Sequence, residues 1–152
     1  MSSLVYEDKP PYDIRLRAIV ILPVIILFVA GIFIMDKEPE VANGLCITAL
    51  VIGFILWAII PRKYVIMNDK VAIALNGGVS VSIPLGKITT ARMAKGFTFS
   101  ANFPTTLSSK HAVEIVKRKS MNIVITPGDP EQFIKTLNST LDGLLQGEKE
   151  AV

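Results

Sequence analysis

Apolar positions in this chain are concentrated in two long runs separated by a short acidic break. Ala18 to Met35 is eighteen residues without a charge, and after Asp36-Lys37-Glu38-Pro39-Glu40 the run from Val41 to Ile60 has only Asn43 and Thr48 as polar side chains. A bilayer's hydrocarbon core is about 30 Å thick and takes about 20 mostly apolar residues of helix to cross. Both runs meet that length. Two helices apolar all round could be the core of a soluble protein only if much more chain wrapped them, and too little remains. Residues 18–60 therefore predict a transmembrane helical hairpin. Pro23 removes a backbone donor within the first helix. Ala30-Gly31 and the Ala49-xxx-Gly53 spacing supply small faces on which the two helices can pack against each other. Cys46, the single cysteine, falls within the second run and reads as a small apolar filler.

Behind Pro61 the period changes from helical to alternating. Lys63 to Met67, Val71 to Leu75 and Val79 to Ile83 predict strands, with Asn76-Gly77-Gly78 as a hairpin turn because Asn and Gly accept positive φ at little cost. Further strands are expected at Lys87–Met93, within Gly96–Phe103, at His111–Val116 and at Asn122–Thr126, with Pro104–Lys110 as a loop. The last element reads as an amphipathic helix. Asp129 caps it, Pro130 suits its first position, Gln132 completes a capping box, and Phe133, Ile134, Leu137 and Leu141 form one apolar face. Residues 1–17 read as a cytoplasmic N-terminal leader, disordered or loosely extended, and 143–152 as a flexible tail weakened by Gly143 and Gly147.

Charge orients the hairpin. Arg15 and Arg17 precede the first helix and Arg62 and Lys63 follow the second, whereas the predicted loop from Asp36 to Gly44 has one lysine. The bias of basic residues toward the cytoplasm puts both termini there, in a multi-pass protein of the cytoplasmic (inner) membrane. These four residues and Trp57 are the expected anchors at the membrane interface. The first run is longer than a signal peptide's apolar region, and Phe33-Ile34-Met35-Asp36 offers no small-residue cleavage site. Neither run contains an ionisable side chain other than Cys46, which argues against a transporter or proton relay.

Of the 152 residues, those from Arg62 onward carry twelve Lys or Arg against seven Asp or Glu, so the basic character belongs to the C-terminal part. Residues 62–142 predict a separate α+β domain, a curved sheet whose open end the last helix plugs. Asn122 to Leu137, NIVITPGDPEQFIKTL, resembles the last strand, Thr/Ser-Pro turn and Pro-Glu-x-Phe helix opening of the bacterial pleckstrin-homology-like (PH-like) domains. Lys63-Tyr64-Val65-Ile66 and Ile83-Pro84-Leu85-Gly86-Lys87-Ile88 support that resemblance. It implies a PH-like antiparallel β-barrel or sandwich capped by a C-terminal helix, found in that family behind one or more membrane helices. It does not imply phosphoinositide binding.

Signatures of catalysis are absent from the sequence. His111 is the only histidine, and a metal site needs three or four ligands. Ser108-Ser109-Lys110 are neighbours whose side chains point apart, Gly77-Gly78 is a turn, and no phosphate-binding glycine motif occurs. Neither an enzyme nor a cofactor is expected. Asn138-Ser139-Thr140 fits a glycosylation sequon on a helix predicted to be cytoplasmic and is discounted. The remaining candidates are electrostatic. Arg92, Lys95, Lys110, Lys117, Arg118 and Lys119 fall in or beside predicted loops and could meet anionic headgroups. Phe97, Phe99 and Phe103 are too few to make a stacking platform, so nucleic acid is not expected. Two readings remain: an interaction or scaffold module that binds a protein partner or self-associates, or a sensor of anionic lipid. An accessory subunit of a larger membrane complex is a third.

Overall fold

The computed structural model describes residues 3–94, 100–103, 105–106 and 109–150. Helices α1 (Ile14–Ile34) and α2 (Pro39–Ile59) are each 21 residues, about 31 Å at 1.5 Å per residue. Both are long and apolar enough to cross a membrane, and only 6% and 11% of their most apolar windows are buried within the protein, unlike the core helices of a soluble fold. Helix α1 begins ahead of its apolar run because Asp13 caps it, its carboxylate accepting from the Arg15 N–H at 2.9 Å. Helix α2 begins at Pro39, a residue suited to a first helical turn, with Glu40 beside it. The connection thus shrinks from the predicted Asp36–Gly44 to Met35–Glu38. Gly31, Ala42 and Ala49 are the buried positions of the pair. A Cβ on Gly31 would lie 2.7 Å from Cys46 Sγ and 3.1 Å from the Ala42 carbonyl, so the glycine permits the helices to touch.

Strands β1 (Leu4–Asp8), β2 (Pro61–Met67), β3 (Lys70–Leu75) and β4 (Ser80–Pro84) form one antiparallel sheet in that order. Strands β5 (Ile88–Met93), β6 (Ser100–Phe103), β7 (Val113–Lys117) and β8 (Asn122–Ile125) form a second, ordered β5-β7-β8-β6. Helix α3 (Pro130–Glu150) covers their shared core. Among the described residues no ladder joins the sheets, so they face each other as a sandwich and do not close into a barrel. One pairing is parallel, β6 against β8. Tyr64, Ile66 and Ile73 from the first sheet meet Ile115 and Ile125 from the second and Phe133 and Leu137 from α3 in one cluster. The strand expected from His111 begins at Val113, and His111 ends a short 3-10 turn, Ser109–His111.

The leader is the largest departure from expectation. Leu4–Asp8 pairs antiparallel with β2, from Leu4 opposite Met67 to Asp8 opposite Tyr64. The outer backbone groups of β2 gain partners, and Tyr6 meets Phe133 edge-on with ring centroids 6.2 Å apart. The end of the leader then seats against the start of α3. Asp129 caps that helix, accepting from the Gln132 N–H at 2.9 Å, as expected. The returning half of the capping box is different: the Asp129 N–H donates to Asp8 Oδ2 at 3.0 Å, and the Gln132 side chain faces Thr136. A Cβ on Gly128 would sit 2.8 Å from the Lys9 carbonyl, so only glycine allows the approach. The predicted flexible tail is also structured, since α3 continues to Glu150. One glycine within a helix costs only about 1 kcal/mol, and no proline stops it.

Asn138 lies in the discounted sequon but has a structural task. Its Oδ1 accepts from the Ala91 N–H at 2.9 Å and its Nδ2 donates to the Ala91 carbonyl at 3.0 Å, so one side-chain amide occupies the outer edge of β5 as a neighbouring strand would. Asn138→Ala leaves both Ala91 groups unpaired beside the core and is expected to cost about 1–3 kcal/mol, measured by denaturant or thermal unfolding of the full chain in detergent. Gly128→Ala is expected to expel the leader from its seat, seen as faster proteolysis within residues 3–13 than in the parent chain.

Candidate functional site

Chain connectivity brings the ends of both helices against one end of the domain. The turn Asn76-Gly77-Gly78 between β3 and β4 rests on the end of α2: the Gly77 N–H donates to the Ala58 carbonyl at 3.0 Å, the Asn76 N–H to Ile60 at 3.0 Å and Asn76 Nδ2 to Trp57 at 3.4 Å. Carbonyls that a helix end leaves unpaired are thereby satisfied. Gly78, at φ +79°, completes the three-residue turn that Asn-Gly-Gly predicts. On the α1 side, the Tyr12 hydroxyl donates to the Pro61 carbonyl at 2.8 Å and the Asp13 N–H to the Thr105 carbonyl at 3.0 Å.

From Thr105 the polar contacts pass into the core. Thr105 and Thr126 hydroxyls are 2.7 Å apart, the Thr105 N–H donates to Thr126 Oγ1 at 2.9 Å, and the buried Tyr64 hydroxyl donates to the Phe103 carbonyl at 3.2 Å while accepting from the Thr126 N–H at 3.4 Å. Burial raises the Tyr64 pKa, and its contacts with Thr126 and Thr105 offset part of that rise. Thr126, the threonine of the family-like Thr-Pro turn, is thus the meeting point of three segments. No local pattern identifies Thr105 as its partner.

The basic candidates do not form one rim. Leu75 pairs with Pro61 at the helix-proximal end of the first sheet, whereas Val71 pairs with Ile66 toward the other end. Lys117 lies opposite Ile88 in the second sheet, the Arg118 N–H donates to the Lys87 carbonyl at 2.8 Å, and the Leu85 N–H donates to the Asp69 carbonyl at 3.0 Å. The turn of Lys117, Arg118 and Lys119 is therefore at the end far from α1 and α2, about 15–20 Å along the strands. Lys119 takes φ +57° there, and Arg118 borders a cleft of about 280 Å³ with Asp69, Leu85, Ile88, Leu141 and Leu144. Arg92, near the end of β5, and Lys110, in the 3-10 turn before β7, are at the helix-proximal end. Lys95, Phe97, Phe99 and Ser108 lie outside the described residues.

Arg92 has a partner inside the domain. Its Nε and a terminal nitrogen each lie 2.9 Å from Glu114 Oε2, directly across the β5–β7 ladder, and Asn122 Nδ2 donates to Glu114 Oε1 at 2.8 Å. The Glu114 side chain is 2% exposed and the Arg92 side chain 58%. Burial alone would raise the Glu114 pKa, but the hydrogen bonds from Arg92 and Asn122 and the Arg92 charge prevail and hold it below the ordinary carboxylate value. The anchor candidates, by contrast, do gather at the helix–domain junction. Arg15 and Arg62 are exposed, the Arg17 guanidinium lies 4.7 Å from the centroid of the Tyr12 ring, Trp57 is in the last turn of α2, and Lys63 pairs with Glu7 at 3.0 Å. Among the described residues no group of three or more His, Cys, Asp or Glu side chains could hold a metal ion.

Sheet edges are the remaining places where the backbone can meet another molecule. Strand β1 carries an irregularity between Leu4 and Tyr6 and two acids, Glu7 and Asp8. The β5 edge is occupied by Asn138. Strand β4, Ser-Val-Ser-Ile-Pro, has no charged residue and no strand on its outer side among the described residues. Leu75 and Val79 close the hairpin turn by a backbone bond. Alternation from there leaves the backbone groups of Ser80 and Ser82 pointing away from β3.

Two four-stranded sheets packed under a C-terminal helix define a PH-type module. A family model for the bacterial PH domain matches residues 62–141, more than half of the chain, which therefore belongs to that family. No curated protein and no solved structure matches it. The match begins at β2, so β1 and the two apolar helices lie outside the family's domain.

The Glu114 contacts yield a pH prediction. A carboxylate held below its unfolded value of about 4.3 contributes stability above that pH and loses it as the pH falls through the folded value. Unfolding of the full chain in detergent is expected to become easier below about pH 4, and Glu114→Gln to flatten that part of the profile. Arg92→Ala leaves the buried carboxylate without its cation and is expected to cost about 2–3 kcal/mol at neutral pH, less than a fully buried pair because the guanidinium reaches solvent.

Proposed function

We propose that this chain is a membrane-anchored interaction module. Helices α1 and α2 cross the cytoplasmic membrane as a hairpin, both termini are cytoplasmic, and the PH-type domain works on the cytoplasmic face. The observation that carries the reading is the open, uncharged edge of β4; of the other three edges β5 is blocked, β1 is irregular and acidic, and β6 is only four residues long. An exposed edge of this kind accepts an extended segment of another chain through backbone hydrogen bonds. Its occupant is a protein partner or a second copy of this chain. Because β1 before the hairpin pairs with β2 after it, the residues flanking the two spans are held on one side, in agreement with the bias of basic residues. PH domains are typically non-catalytic interaction modules, which fits this reading. A lipid sensor working through Lys117, Arg118 and Lys119 would have to reach headgroups from the end of the domain far from the helices.

The test is a photo-crosslinking amino acid placed at Ser80 or Ser82 of the full chain in intact membranes, with Lys135 on the exposed side of α3 as the control site. Protein adducts are expected at the β4 positions and not at Lys135. Their masses tell a partner from a second copy, and a set of co-purifying subunits would assign the chain to a larger complex. Absence of protein adducts at both serines would overturn the edge-binding reading. Anchoring is tested separately by an alkaline wash of membranes, after which the chain is expected to remain in the pellet.

A further inference from the structure

The junction between the two apolar helices and the domain encloses a cleft of about 370 Å³. Its walls are apolar, built from Leu16, Val20 and Ile21 of α1, Leu56 and Ile59 of α2 and Phe103 of β6. Arg17 and Tyr12 also border it, and no acidic residue does. A second cavity of about 130 Å³ shares Val20, Ile21 and Leu56 with the first and extends to Val24 and Gly53. The helices touch at Gly31, Ala42 and Ala49, farther from the domain, and leave a groove at this end. The groove ends where the helices close again at Gly53, on which a Cβ would lie only 3.3 Å from Val24 Cγ1. From Leu16 to Val24 it follows α1 for about 12 Å.

We infer that this groove holds a single acidic phospholipid of the surrounding leaflet, one acyl chain lying between α1 and α2 and the headgroup phosphate facing Arg17. The inference rests on the reading that α1 and α2 span the bilayer. Three observations select the occupant. Spanning helices open their groove to lipid, so its apolar length meets acyl chains before anything else. Its mouth has a guanidinium that stacks on Tyr12 and pairs with no carboxylate among the described residues, and arginine is suited to phosphate by its planar fork of donors. Tyr12 is fixed by its bond to the Pro61 carbonyl, so the stacked Arg17 is held at the mouth. The site is made by the helices and the junction, not by the domain's basic turn, which lies at the other end. A lipid bound there would touch α1, α2 and β6 together and so stiffen the domain against the membrane.

The full chain, purified in a mild nonionic detergent with equimolar phosphatidylglycerol and phosphatidylethanolamine, is examined by native mass spectrometry. One retained phosphatidylglycerol per chain is expected in preference to phosphatidylethanolamine. Arg17→Gln is expected to lower its occupancy about fivefold, the loss due to one charge near headgroups. Arg17→Lys should retain most of the binding. Arg15→Gln, one charge fewer on the same helix but outside the cleft, should leave it unchanged. Equal retention of the two lipids, or equal losses from Arg15→Gln and Arg17→Gln, would overturn the inference while leaving anchoring intact. A chain stripped from membranes by the alkaline wash would overturn both.

Discussion

Strand β1 comes before the two apolar helices and β2 after them, yet the two lie side by side in one sheet. Most of the other junction features depend on that pairing. A hairpin whose two ends are sewn into the same sheet enters and leaves from one side, and the domain cannot swing about a single linker. The bonds from Tyr12 to Pro61, from Asp13 to Thr105 and from Asn76 and Gly77 to the end of α2 reinforce the same constraint at separate points. Each is a modest interaction of about 1 kcal/mol. Their effect is geometric, because together they fix the direction in which the domain presents its edges.

The constraint also decides what each surface can reach. The helix-proximal end carries Arg17, Trp57 and the apolar cleft, while the basic turn at Lys117–Lys119 and the small cleft beside Arg118 are at the far end. Strand β4 runs between the two ends with no strand on its outer side among the described residues. A chain segment adding to β4 would align along the same direction as the sheet, so its path relative to α1 and α2 would be set by the junction. Burial of Glu114 with Arg92 and capping of β5 by Asn138 remove two other contact surfaces by giving them internal partners.

Family membership accounts for the domain and leaves the leader strand unexplained, since the match begins at Arg62. Strand β1, outside the matched residues, closes the chain around its hairpin by pairing with β2. Gly128 and Asp129, inside the family-like stretch, are also the residues that receive the leader, so one short turn both opens α3 and clasps Asp8 and Lys9.

Local chemistry was enough to read the two apolar spans, the Asn-Gly-Gly turn, the Asp129 cap and the apolar face of α3, because each depends on residues within a turn or two of one another. The Gly31 and Gly53 faces could likewise be assigned to the hairpin, since small residues matter only where backbones meet. The pairing of β1 with β2 was not legible. Leu-Val-Tyr-Glu-Asp has no strong alternation, and its partner lies beyond more than fifty intervening residues. Tertiary structure alone separated Arg92 from Lys117–Lys119, matched Glu114 to Arg92 and Asn138 to Ala91, and left a cleft between the domain-side ends of α1 and α2. Those contacts depend on register and on which ends of strands meet. Local sequence carries little information about either, because partners distant in sequence are fixed by burial shared across the whole fold.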